Sequence, residues 1–381
     1  MSGPQPAWSE WKQRERAEYT GGIEEEVMLL SEDFSLANRV EAVMPRLPEP
    51  VAEQATRETQ NSVIELCTEV HTDVDSAVGQ LRDLRTELTE TLATLGLRSA
   101  GAGTHPFAVW EEIAVTSGDR QEFVHGSMRE LARREPTFAL HIHVGLADPE
   151  LAIDVCNSMR VHLPVLLALS ANSPFWQGRD TGLASARTPL FQAFPRVGVP
   201  RAFADYSHYV KSVDLLIETG AIPDRSYLWW DIRPQPGIGT IEIRVMDAQT
   251  RSDDTAILAA LTRALVKLEA EEGFASDKSI EAHEALSENR FLAARDGVHA
   301  ELIDIDHESR RPFLEILETM LDRMRRTLPS SVAWGNSRPA RGWPGTRLPT
   351  SRGRSPARHV HWRSWSLASL MISRDQMPRS G

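Results

Sequence analysis

GTIEIRVMD, residues 239–247, alternates with a period of two: Ile241, Ile243 and Val245 point one way, and Thr240, Glu242 and Arg244 point the other. That pattern predicts a strand with one apolar face and one charged face. A carboxylate and a guanidinium two residues apart lie about 6–7 Å from each other along such a strand. For one isolated strand, the plain interpretation is a solvated outer face. Other segments of the chain repeat the design, and that repetition points to a built surface.

GGIEEE, residues 21–26, aims Glu24 and Glu26 to one side and Ile23, Glu25 and Val27 to the other. Two carboxylates facing the same way repel unless a cation lies between them. Hard divalent cations take oxygen ligands, so the pair suits Mg²⁺. HIHVG, residues 141–145, places His141 and His143 on one face, with Leu140, Ile142 and Val144 on the other. In the strand-like run 59–67, Glu65 interrupts an otherwise apolar stretch. A buried carboxylate there needs a partner or a metal. Glu58 lies seven residues earlier, an odd number, and in an unbroken strand it faces the opposite way; Glu65 is therefore the preferred candidate. If the four segments share a sheet, they form a carboxylate-rich floor with His and Arg at its edge.

The rest of the chain reads as a frame for that floor. Apolar residues from Val70 to Leu95 recur at steps of three and four, which predicts a long helix ended by Gly96. A strand is expected at 97–105 and another at 137–146. Helical sequence covers 150–169, with a break at Pro164, and returns at 205–220, 253–272, 278–297 and 308–327. Residues 170–187 form a long polar loop, and 226–247 form strands around a Pro-rich turn. Residues 1–18 are polar and expected to be irregular. Residues 330–381 carry Arg, Ser, Pro, Gly and Trp without periodicity and read as a disordered tail, whose composition also fits a shifted reading frame. The division expected is thus 1–18, a catalytic unit over 19–329, and the tail.

Charge and composition exclude several classes. The net charge of −12 divides into +8 over 330–381 and −20 over 1–329. An acidic body argues against nucleic acid as its partner. The two cysteines, Cys67 and Cys156, form neither a disulfide framework nor a zinc knuckle, and a reduced cytoplasmic setting is expected. The first 20 residues have no apolar core of a signal peptide, and the longest apolar run, 163–169, is far short of a membrane span. There is no P-loop, no HExxH and no GxSxG, and GAGTHP at 101–106 lacks the third glycine of a dinucleotide fingerprint. A nucleotide, if bound, must rest on metal ions and a sheet surface.

In order, GGIEEE, GTHPF, HIHVG, SANSPFWQGRDTG with Arg187, WWDIRP, GTIEIRVMDAQT and HEALSENRFLAARDG resemble the glutamate–cysteine ligase type 2 family of ATP-dependent carboxylate–amine ligases. The resemblance covers about residues 19–328. It implies an α+β, glutamine-synthetase-like fold: a curved, mainly antiparallel sheet forming a funnel, with helices on its outer face. It implies ATP and Mg²⁺ (or Mn²⁺) as cofactors, with Glu24, Glu26, Glu65, His141 and Glu242 holding metal or contacting phosphates. It places Arg244 near the transferred phosphate and Arg187 at the carboxylate substrate. Arg233 and His143 are substrate-binding candidates, and Trp230 is either a site residue or core. The activity implied joins L-glutamate to L-cysteine through an acyl phosphate. Partners are then amino acids and ATP, not nucleic acid or membrane, and a homo-oligomer is compatible. Three alternatives stay open: the same chemistry on another acid and amine, a metal-dependent hydrolase, and a non-catalytic binding protein.

Overall fold

In the computed structural model, which describes residues 6–12, 18–133 and 137–327, the 239–247 stretch is a strand at Thr240–Asp247. It belongs to a seven-stranded sheet made of β1 Gly21–Leu30, β2 Ala55–Arg57, β3 Val63–Cys67, β4 Arg98–Ala100, β5 Ala139–Gly145, β6 Ile232–Gln235 and β7 Thr240–Asp247. The order is β6-β7-β5-β1-β3-β2, with β4 pairing the far end of β1. Every pairing is antiparallel and the sheet is open. The expected α+β class and antiparallel sheet are both present.

The longer helices are α1 Val74–Thr94, α2 Asp119–Met128, α3 Pro149–Met159, α4 Leu163–Ser170, α5 Tyr206–Glu218, α6 Ser252–Glu272, α7 His283–Asp296 and α8 Phe313–Thr327. Helices α1, α3 and α6 pack on one face of the sheet. There Ile23, Val27, Ile64, Leu66, Leu140, Ile142, Val144, Ile241, Ile243 and Val245 join the main core. Each such side chain contributes about 1.5–3 kcal/mol on burial, so the apolar face settles which way the sheet turns. The charged residues, Glu25 apart, are left on the opposite face.

Local signals explain the elements. Asp73 caps α1 by accepting from the Ser76 N–H at 2.8 Å, and Ala77, Leu81, Leu84, Leu88 and Leu92 turn inward. The helix ends as expected at Gly96, whose φ of +68° suits a residue without a Cβ, and the Leu97 N–H returns to the Leu92 carbonyl. Glu25, the middle carboxylate of GGIEEE, points to the helix face. It is fully buried, and Arg85 of α1 donates to it through Nε at 2.6 Å.

Several expectations are corrected. The run 59–67 is strand only from Val63; β2 is a separate strand ending at Arg57, and residues 58–62 reverse the chain. The strand expected at 97–105 spans three residues. The 150–169 helix breaks before Pro164, which sits in the first turn of α4, where its missing N–H is harmless. Helix α2, DRQEFVHGSM, has no apolar stripe to announce it. Within the segment expected to be irregular, Trp8 donates to Asp214 at 3.0 Å and Trp11 to the Leu146 carbonyl at 3.2 Å. The expectation for 330–381 concerns residues outside those described. Among the described residues, no single helix is long and apolar enough to cross a membrane; α3 and α4 reach that length only as a pair bent by 63°.

Candidate active site

Antiparallel register builds the site row by row. Glu242 of β7 stands between Arg233 of β6 and His143 of β5. In the next row His141 faces Glu24 of β1, and in the third Glu26 faces Glu65 of β3. The four segments singled out in the sequence thus share one face of one sheet.

The side chains converge at short range. His141 Nδ1 lies 3.2 Å from Glu24, 3.6 Å from Glu65 and 3.8 Å from Glu242. His143 Nε2 lies 3.1 Å from Glu24, and its Nδ1 meets the Thr240 hydroxyl at 3.0 Å. Thr56 donates to Glu65 at 2.9 Å, and the Ala139 N–H donates to Glu26 at 2.7 Å. Among the described residues, two groups arise whose ligand atoms all fall within 4.8 Å of one another: Glu24, His141 and Glu242, and Glu26, Glu65 and His141.

Electrostatics separates these carboxylates. Burial pushes Glu26 up to about 8, with Glu58 adding to the shift. Burial also drives Glu65 well above the carboxylate range, assisted by Glu58, Glu24 and Glu26. Burial acts in the same direction on Glu242, but Arg233 and Arg244 override it and hold that carboxylate well below its ordinary value. Glu24 is likewise held low against burial, by His143 and by hydrogen bonds from His141. Burial, with Arg244 beside it, lowers His141 to about 4, leaving a neutral imidazole whose Nε2 is buried without a hydrogen-bond partner. Carboxylates that resist ionising together, beside a neutral imidazole with an idle nitrogen, are a donor set that fits a divalent cation.

A β-bulge supplies the cationic side. Between the pairs Ile243–Ile142 and Met246–Leu140, β7 advances three residues while β5 advances two. The Arg244 N–H turns to the Asp231 carbonyl at 2.7 Å, and Arg187 donates to the Arg244 and Val245 carbonyls at 3.2 Å each. The Arg244 guanidinium pairs with Glu242. Arg187 opens a short helix, Arg187–Phe191, at the end of the long polar loop. That loop is pinned by Asp247, which accepts from the Asn172 N–H at 2.8 Å, the Ser173 hydroxyl at 2.7 Å and the Ser185 hydroxyl at 2.9 Å. Behind it, Arg290 of the SENR motif holds Asp231 at 2.5 Å.

Two cavities meet the cluster from different sides. One, of about 280 Å³, reaches Glu24 and His143 past Gly21, Gly22, Thr68 and Gly239. The other, of about 100 Å³, is lined by Glu26, His141, Arg187 and Arg244, with Phe194 and Trp229 among its walls.

Most candidates from the sequence come together here: Glu24, Glu26, Glu65, His141, His143, Glu242 and Arg244 on the strands, and Arg187 over the bulge. Arg233 lines neither cavity; it donates to Glu242 at 2.6 Å and to the Ser226 carbonyl at 3.1 Å, so its observed contacts are with the protein. Trp230 packs on Phe203, with ring centroids 5.8 Å apart, in an aromatic cluster. Sequence parity set Glu58 aside, yet it lines the smaller cavity with Arg120 of α2. The parity rule needs one unbroken strand, and the chain turns between Glu58 and Glu65. A pre-existing hint was the nearness of two glutamates around a Thr-Gln-Asn-Ser turn.

The chain resembles known proteins over most of its length. The model of the glutamate–cysteine ligase family 2 matches residues 20–361. A Rubrobacter xylanophilus protein with the provisional name glutamate–cysteine ligase 2-1 is 40% identical over 308 residues, covering 81% of this chain and 82% of its own. The glutamate–cysteine ligase of Haloferax volcanii is 36% identical over 308 residues, covering 80% and 86%. Among solved structures, the Francisella tularensis glutamate–cysteine ligase in complex with AMP superposes with a TM-score of 0.65 at 13% identity, covering 84% of this chain and 81% of that one. At that identity the likeness shows the fold. From the match over most of its length, the chain belongs to glutamate–cysteine ligase family 2.

Proposed function

We propose that this protein is an ATP-dependent carboxylate–amine ligase that joins the γ-carboxylate of L-glutamate to the amine of L-cysteine, releasing ADP and phosphate. Family membership supports an ATP-dependent ligase; the choice of acid and amine is inferred. The observation that carries the reading is the placement of a carboxylate–imidazole cluster between two cavities, only one of which is lined by Arg187 and Arg244. The larger cavity suits the nucleotide and the smaller one the amino acids.

Residues 19–329 form the catalytic unit in this reading. Glu24, Glu26, Glu65, His141 and Glu242 would hold Mg²⁺ or Mn²⁺, which when bound neutralises phosphate oxygens. The protein's own contribution is placement and charge, which phosphoryl transfer requires more than covalent help. Arg187 orients the substrate carboxylate, whose oxygen attacks the γ-phosphate to give an acyl phosphate. Arg244, steered by Glu242, offers fixed positive charge to the transferring group. Arg233 acts as a positioning residue that keeps Glu242 ionised and oriented. The amine then attacks the acyl carbon, phosphate leaves, and the walls formed by Phe194 and Trp229 limit access of water to that carbonyl. His143 stands at the nucleotide edge.

The test is ADP release by purified protein with Mg²⁺, glutamate and a panel of amines including cysteine. Amine-dependent ADP formation that drops at least 100-fold in Glu242→Gln supports the reading. Absence of amine-dependent ADP with every pair, or turnover without ATP, sinks it.

A further inference from the structure

We propose that Glu58 and Arg120 read the α-ammonium and α-carboxylate of the acid substrate, so that the smaller cavity selects α-amino dicarboxylates over plain carboxylic acids. This rests on the ligase reading of the same site and assigns two further residues to it.

The charged lining of the cavity carries the inference. Arg187 and Arg244 stand beside the metal-type cluster, and Glu58 and Arg120 complete the charged lining. Burial disfavours the charged form of Glu58, and Arg120 and Arg244, which line the same cavity, favour it. A ligand complementary to a carboxylate that shares a cavity with guanidiniums carries an ammonium together with carboxylates. Val63, Val124 and Met128 supply the apolar contact that a short methylene chain needs.

Both residues are held yet available. The Glu58 carboxylate accepts only one hydrogen bond among the described residues, from the Thr59 N–H at 3.3 Å, and has no ion pair within 4.0 Å there. Its backbone is tied to the segment leading into α2: Thr116 donates its hydroxyl to the Glu58 carbonyl at 2.7 Å, and the Asn61 N–H reaches the Ala114 carbonyl at 2.9 Å. Arg120 lies in the first turn of that helix. It donates to the Ser226 hydroxyl at 2.5 Å and lies over the Tyr227 ring, 4.7 Å from its centre. Tyr227 in turn meets Phe123 at 5.0 Å and Trp229 at 6.0 Å. Among the described residues the guanidinium has no carboxylate within 4.0 Å, which leaves its charge for a ligand. A site built to pair a group penalises the analogue that lacks it.

The test compares three acids: glutamate, glutarate, which lacks the ammonium, and 4-aminobutanoate, which lacks the α-carboxylate. The readouts are kcat/KM from ADP release and Kd from titration calorimetry. In Glu58→Gln the preference for glutamate over glutarate should fall at least tenfold. In Arg120→Gln the preference for glutamate over 4-aminobutanoate should fall at least tenfold. Changes under twofold in variants with the parent circular dichroism overturn the assignment. If a variant does not fold, the parent decides: equal affinity for glutamate and both analogues also overturns it. Absence of ADP release by the parent defeats the ligase reading instead, and the calorimetric preference still judges this one.

Discussion

Replacing Arg85 with Met isolates the buried pair that anchors the central strand. Glu25 is fully buried on the helix face of β1, directly between Glu24 and Glu26 in sequence. Its hydrogen-bond donors among the described side chains are Arg85, at 2.6 Å through Nε, and the Thr255 hydroxyl at 3.3 Å. Arg85 also donates to the Gln249 carbonyl at 2.7 Å. Removing one member of a buried pair costs about 3–5 kcal/mol, because a charge is left without compensation. The orphaned carbonyl adds about 1 kcal/mol. Arg85→Met should therefore lose about 4–6 kcal/mol. With a urea slope near 3 kcal/mol per M, the unfolding midpoint falls by roughly 1.3–2 M. The assay is urea unfolding followed by tryptophan fluorescence and far-ultraviolet circular dichroism, whose coincidence checks two-state behaviour. In the double variant Arg85→Met with Glu25→Leu, the loss should be smaller than the sum of the singles by at least about 2 kcal/mol. A midpoint within 0.3 M of the parent (roughly 1 kcal/mol at that slope), or strict additivity, would mean that the Arg85–Glu25 pair does not anchor the strand.

Three more outcomes follow from particular contacts. A Cβ on Gly103 would lie 2.5 Å from the Asp247 carboxylate carbon, so Gly103→Ala should destabilise the chain by about 1–3 kcal/mol and lower ADP release by disturbing the loop that carries Arg187; unchanged melting and turnover would contradict it. Burial tends to raise Glu269, but His162 and the Phe274 and Ala275 N–H groups hold it below its ordinary value. A depressed folded value means stability present above the usual carboxylate range and lost as pH falls through that lower value. The melting gap between the parent and Glu269→Gln should hold from pH 7 to about 5 and close below about 4; a gap that widens in acid would be the wrong sign. Finally, Mg²⁺ with a non-hydrolysable ATP analogue should raise the parent's melting temperature, and Glu24→Gln should remove most of that shift. An equal shift in the variant would take Glu24 out of the metal set.

Much of the site was legible because its residues lie on strands. Period two assigns Glu24, Glu26, Glu65, His141, His143, Glu242 and Arg244 to faces without knowledge of any neighbour. Arg187 was legible only through family resemblance, since nothing in a polar loop announces that a guanidinium will fold over a bulge. Glu58 and Arg120 escaped for different reasons. The first sits where the chain reverses, and the second lies in the first turn of a helix whose ten residues carry no apolar stripe. Trp8 and Trp11 escaped because a polar flank hides two aromatic anchors.

By itself the sequence determined which side chains share a face, since alternation along an extended backbone is local geometry. It also determined the C-terminal end of α1, through Gly96, because left-handed backbone is decided within a few residues; the start at Val74, capped by Asp73, lies four residues past the expected Val70. Only the tertiary structure decided which faces meet. Setting β1 between β3 and β5 brings Glu26 opposite Glu65 and Glu24 opposite His141, a register chosen by burial of the apolar face against α1, α3 and α6. It also decided that of three consecutive glutamates the middle one belongs to Arg85 and the core, while its neighbours belong to the site. A carboxylate's role follows from what burial places beside it, and that is a property of the packed chain.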